Sequence, residues 1–224
     1  MDEVEARRDV SDPAQFIVQV SIWALPILLA IILHEVMHGV VAYRLGDDTA
    51  KRAGRLTLNP LPHIDPIGTV ILPVFLLFMN LPVFGYARPV PVDFSALRNG
   101  RTGMMMVAAV GPLTNLVLAV ASAIGMHALA PYAAGEWGTM VALPLIFMLR
   151  ASVVINIVLA VFNLFPLLPL DGGRVIAGLL PLQAARSYAR LEPYGFLILI
   201  FLLYTGTVGA VIGPIVNAIA GVLL

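Results

Sequence analysis

Ionisable side chains are missing from long stretches of this chain, and that absence constrains its fold more than any other feature. Residues 13–34, 66–87, 102–135, 151–170 and 193–224 contain no Asp, Glu, Lys or Arg, and 137–149 is a shorter stretch of the same kind. About 20 apolar residues, rising 1.5 Å each in a helix, cross the roughly 30 Å hydrocarbon core of a bilayer. With 60% hydrophobic and 12% charged residues, the chain also lacks the polar surface to cover a globule in water, where about a quarter of residues are normally charged. The sequence predicts an all-α polytopic membrane protein, its residues 1–224 forming one membrane-embedded domain in a lipid bilayer.

Several classes drop out at once. The formal net charge is +0 and the basic residues are scattered, so nucleic acid is not an expected partner. Without cysteine there is no disulfide framework, thiolate metal site or cysteine nucleophile. The tail MDEVEARRDVSDPAQ lacks the basic, apolar, small-residue order of a cleaved signal peptide, so the first span is expected to stay in the mature protein.

Lys and Arg concentrate on the cytoplasmic side of membrane helices. The clusters Arg44, Lys51, Arg52, Arg55; Arg88, Arg98, Arg101; and Arg174, Arg186, Arg190 are therefore assigned there. The acidic N-terminal tail is assigned outside, in a cell (plasma or inner) membrane. The stretch 66–87 has basic flanks on both sides and carries Pro66, Pro73 and Pro82. A re-entrant or hairpin segment, about 56–87, fits better than a plain crossing, because broken backbone at membrane depth survives only inside protein or beside a cavity. Residues 193–224, interrupted by Gly206, Gly209 and Gly213-Pro214, allow one bent span or two short ones. Arg150, inside an apolar run, is expected to snorkel to the outer interface.

Chemistry enters at His34-Glu35-Val36-Met37-His38, near the inner end of the first span. Helical residues i and i+4 share a face, so both imidazoles can reach one metal ion. Glu35, about 100° around the helix, can lie beside the ion and take a proton from water there. A catalytic zinc usually has a third protein ligand. Asp171 follows the broken run Asn163-Leu164-Phe165-Pro166-Leu167-Leu168-Pro169-Leu170, and Gly172-Gly173 permit a tight turn after it. His63 and Asp65, in Asn59-Pro60-Leu61-Pro62-His63-Ile64-Asp65-Pro66, are rival ligands whose alternative role is turn formation. His127 lies at the outer end of its span, away from this group.

Three segments resemble the site-2 protease family of intramembrane zinc metalloproteases: His34 to His38, Gly111-Pro112-Leu113-Thr114-Asn115, and Asn163 to Gly173. The last looks like that family's Asn-x-x-Pro-x-x-x-Leu-Asp-Gly motif, and the likeness covers a catalytic core of about 20–175. The resemblance implies one zinc per chain held by His34, His38 and Asp171, with Glu35 as catalytic base. It implies substrate binding by Asn163, Pro166 and Asn59, the last in Leu56-Thr57-Leu58-Asn59-Pro60 of a compact branch of the family. In that branch a membrane-embedded hairpin engages the substrate strand. Neither a PDZ-like insert between spans nor a nucleotide-sensing tail is expected. The implied substrate is a transmembrane protein cut within or near its span, from a site open to the cytoplasm, with a regulatory membrane partner as a further possibility. A metal or proton transporter would need polar groups at several depths, and the outer half offers little beyond Arg150, Ser122 and Ser152. An idle adaptor would have no need of Glu35.

Overall fold

The computed structural model describes residues 13–79 and 85–224. The acidic tail 1–12, Asn80 and Pro82 lie outside the described residues. Within them the chain forms α1 (Pro13–Arg44), α2 (Thr49–Arg52), α3 (Leu72–Phe78), α4 (Gly100–Leu129) and α5 (Gly135–Trp137). Then follow α6 (Leu143–Asn163), α7 (Asp171–Leu179), α8 (Leu182–Ala189), α9 (Glu192–Tyr204) and α10 (Thr207–Leu223). No strand occurs among the described residues.

Three stretches are long and apolar enough to cross a membrane: Ile17–Arg44, Gly100–Tyr132 and Gly135–Asn163. Their side chains are sorted for lipid rather than water. On α4 the outward stripe is Leu113, Val117, Val120 and Ile124, with Val117 67% exposed, while Gly111, Asn115, Ala119 and Ser122 face inward and are buried. A soluble protein reverses that sorting. The protein is a multi-pass membrane protein with α4 at its centre, packed against α1, α6 and α7.

The final apolar stretch is two helices. α9 and α10 meet at 75°, and the break is Gly206, whose φ of +72° is accessible to glycine at no steric cost. α10 folds back on α4 and α6, where Val216 and Ile219 pack against a buried cluster of Ala119, Ala123, Val153 and Ile157.

The segment between α2 and α4 returns on itself. Asp65 caps a turn at Pro66–Ile71 by accepting from the N–H groups of Ile67 and Gly68, and α3 carries the chain onward. The chain then comes back. Tyr86 N–H donates to Gly68 O at 3.1 Å and Arg88 N–H to His63 O at 2.9 Å. The Tyr86 ring lies where a Cβ on Gly68 would sit, 2.4 Å away. Residues 63 and 88 are therefore neighbours, so the two described limbs of the segment lie side by side and its basic flanks come together, as a re-entrant or hairpin reading expects.

Candidate metal centre

His34 and His38 stand one turn apart on α1, both buried. Asp171 opens α7, where the helix dipole favours a carboxylate. The glycines after it do not make the turn that the sequence permits. They are the first turn of α7, and the preceding loop wraps over them: a Cβ on Gly172 would lie 2.1 Å from Leu164 O, and one on Gly173 2.5 Å from Leu168 N. Only glycine admits backbone that close, and this approach aims Asp171 at α1.

Asp171 Oδ2 lies 3.1 Å from His34 Nε2 and 3.3 Å from His38 Nε2. Two ligands bound at 2.0–2.1 Å on tetrahedral directions stand about 3.3 Å apart, so these separations fit the edges of a zinc tetrahedron. The hydrogen-bond partners point the same way. His34 Nδ1 faces Asn115 Oδ1 at 2.6 Å and His38 Nδ1 faces Val107 O at 2.6 Å. Both acceptors require the proton on Nδ1, which leaves the Nε2 lone pairs for a metal. Asp171 Oδ2 is buried without a hydrogen-bond partner. Three lone-pair atoms then converge with no proton between them, an arrangement that a cation relieves. Among the described residues this is the one group of three or more such side chains able to hold a metal ion.

Asn115 is oriented by its own contacts. Its Nδ2 donates to Asn156 Oδ1 at 2.8 Å and to Ala30 O at 3.2 Å, so its Oδ1 must be the atom facing His34. Asn156 in turn donates to Ser152, whose hydroxyl accepts from Ser122. The network joins α1, α4 and α6 in the dry interior, with Asn115 0% and Asn156 1% exposed. Gly111 supplies room: a Cβ there would lie 2.5 Å from His38 Nε2 and 2.7 Å from His34 Cε1. From sequence, Gly111 and Asn115 stand out only as parts of a motif, and Asn156 does not stand out at all. An amide inside an apolar span is the signal that marks it.

Glu35 lies on the adjoining face of α1, about 100° around the helix from His34. Its Oε2 accepts from Val90 N–H at 2.8 Å, on the returning limb of the hairpin. The rival ligands do not join the metal group. His63 Nε2 bonds Thr57 O, and Asp65 caps the turn described above, so neither rival joins His34 and His38. Asn59 is exposed and accepts from Leu61 N–H in a turn of its own. Asn163 ends α6 with its Nδ2 on Leu159 O, and the exposed Pro166 accepts at its carbonyl from Tyr188 Oη. Arg150 is exposed on α6, and His127 bonds Ala123 O within α4.

Comparison with known proteins agrees with the geometry. The sequence model of peptidase family M50 matches residues 126–205. The chain is 37% identical over 200 residues to the Bacillus subtilis (strain 168) protein named "Putative zinc metalloprotease YwhC", covering 86% of this chain and 84% of that one. The chain belongs to peptidase family M50. A second relative, "Putative zinc metalloprotease Rip2" of Mycolicibacterium smegmatis (strain ATCC 700084 / mc(2)155), is 30% identical over 88% of this chain and 71% of its own. No solved structure gives a significant match. M50 membership agrees with the site-2 protease likeness of the motifs, and with the convergent ligand atoms it makes the protein a metalloprotease.

Proposed function

We propose that this M50 protein is an intramembrane zinc metalloendopeptidase, a single membrane-embedded domain that hydrolyses peptide bonds within or near the transmembrane segments of other membrane proteins. The observation that carries the reading is the spacing of His34 Nε2, His38 Nε2 and Asp171 Oδ2, with Glu35 on the adjoining face of the same helix turn. His34, His38 and Asp171 would hold zinc, one per chain. When bound it supplies Lewis acidity to a scissile carbonyl and lowers the pKa of water beside it.

The chain's own groups do the rest. Glu35 keeps Oε2 on Val90 N–H, which leaves its other oxygen to take a proton from the attacking water. As the C–O bond forms and the C–N bond breaks, that proton passes to the departing amine nitrogen. The Asn163 amide, at the inner end of α6, donates to the developing oxyanion. Asn59 and Pro166 border the substrate path, and the hairpin limb offers its edge to an extended substrate strand. A helical substrate hides its amides in hydrogen bonds, so Gly or Pro near the scissile bond eases unwinding.

His34 lies ten residues, about 15 Å, before Arg44 on α1. With the basic clusters on the inner side of the cell membrane, the site opens to the cytoplasm and the N-terminus lies outside. A regulatory membrane partner supplies gating in this reading. The test is bound zinc in detergent-purified protein. About one zinc per chain is expected in the parent and in His63→Ala, and far less in Asp171→Ala. No bound metal in the parent after zinc is supplied removes the hydrolytic mechanism.

A further inference from the structure

Glu35 is held by a backbone N–H, and the backbone that carries it is held by Arg55. Arg55 is only 7% exposed, although it lies in the loop after α2. Among the described residues no carboxylate forms an ion pair with it. Its Nη2 donates instead to two consecutive carbonyls, Arg88 O at 3.3 Å and Pro89 O at 3.1 Å. A buried guanidinium given over to main-chain oxygens fixes the path of that main chain.

The next residue is Val90. In Pro89-Val90-Pro91 the prolines have no N–H, so Val90 carries the sole main-chain donor of the tripeptide, and that donor goes to Glu35 Oε2. The proline rings also fix φ on either side, which keeps the donor from swinging away. Packing seats the limb on α1 at the same height. Gly39 is one turn beyond Glu35 on the same face, and a Cβ there would lie 2.6 Å from Leu56 Cδ2 and 2.9 Å from Val90 Cγ1. Three residues on, Asp93 N–H donates to the buried Asp47 Oδ2 at 2.8 Å. Residues 88–93 are thus tied at three points to the corner formed by α1 and α2, and Arg55 ties the two carbonyls that immediately precede Val90.

We propose that Arg55 is a positioning residue for the catalytic base: by gripping the carbonyls of Arg88 and Pro89 it keeps Val90 N–H on Glu35 Oε2. This rests on the reading of Glu35 as the base. It makes the returning limb of the hairpin and the carboxylate one mechanical unit, so a strand that docks along the limb acts on the base as well.

The full chain contains four Pro-Val pairs, ending at Val74, Val83, Val90 and Val92. Protein labelled with carbonyl-13C proline and 15N valine therefore gives one amide signal for each, and Val90→Ile identifies the relevant one. In Glu35→Gln the Val90 proton signal is expected to move upfield, because its acceptor loses its charge. In Arg55→Gln it moves as well, and its exchange with solvent quickens by about tenfold or more. Arg55→Lys, whose ammonium keeps the charge without the planar fork, gives a smaller change in the same direction. The Val74 signal, remote from Glu35, stays in place in all three and reports an intact fold; where Arg55→Gln loses it, Arg55→Lys decides.

An unmoved Val90 signal in Glu35→Gln, or in a folded Arg55 variant, overturns the proposal. Zinc per chain is measured on the same samples. Failure of the parent to bind zinc sinks the protease reading and leaves the Arg55 result standing by itself.

Discussion

Two sides of one turn of α1 are secured in different ways. The histidine side faces the dry interior, where Asn115 and Asn156 lock His34 through side chains that project from packed helices. The glutamate side faces a half-exposed loop, where a single N–H from residues 88–92 holds the carboxylate. The first arrangement suits a ligand that must keep its geometry while metal stays bound. The second suits the base proposed above, which has to meet water and an extended chain. In an interior of low dielectric a satisfied amide network is rigid, and any broken member leaves its partners unpaired at high cost. The loop contact has fewer members, one N–H on one carboxylate oxygen, and depends on the path of the loop that carries it.

That contrast can be broken from the histidine side first. Gly111→Ala puts a methyl group within 2.5 Å of His38 Nε2, so the imidazoles must separate. Zinc affinity, measured by competition with a chromophoric chelator, should fall by more than about a hundredfold, beyond the usual reach of outer-shell changes. Asn115→Ala leaves every ligand in place but strips His34 Nδ1 of its acceptor and Asn156 Oδ1 of a donor. An affinity loss of about 10–100-fold is expected, with about 1–3 kcal/mol of stability lost in thermal or denaturant unfolding for the buried polar atoms left unpaired.

Asn156→Leu is milder for the metal, since Asn115 keeps Ala30 O as an acceptor for Nδ2. Zinc affinity should drop by less than about tenfold; a loss equal to that of Asn115→Ala would mean the amides act as one unit. Glu35→Gln, on the other side of the turn, should leave zinc affinity within about threefold of the parent, well short of an outer-shell loss. A large loss there would erase the distinction between the two sides.

The two sides of that turn also differ in how far the amino-acid sequence reveals them. His34, Glu35 and His38 are legible because helical spacing is local: i and i+4 share a face wherever the helix goes. The membrane class is equally legible, since burying charge-free stretches of 20 or more residues is a matter of composition and length. The hairpin is half legible, from basic residues on both its flanks. Gly172-Gly173 is not legible, because a glycine pair serves both tight turns and close backbone approach, and local sequence does not separate the two.

By itself, then, the sequence determined the spanning helices, the pair of imidazoles with its neighbouring carboxylate, and, through likeness to a family, the choice of Asp171. Tertiary structure alone decided that Asp171 Oδ2 reaches both Nε2 atoms, that Asn115 and Val107 set the imidazole tautomers, and that Val90 N–H meets Glu35 while Arg55 grips the carbonyls just before it. The physical reason is sequence distance. A helix repeats its geometry every 3.6 residues without reference to the rest of the chain, whereas contacts between residues 35 and 90, 55 and 89, or 34, 115 and 171, exist only once the loops between them have taken a path. That path is chosen by the packing of whole helices, with α4 at the centre.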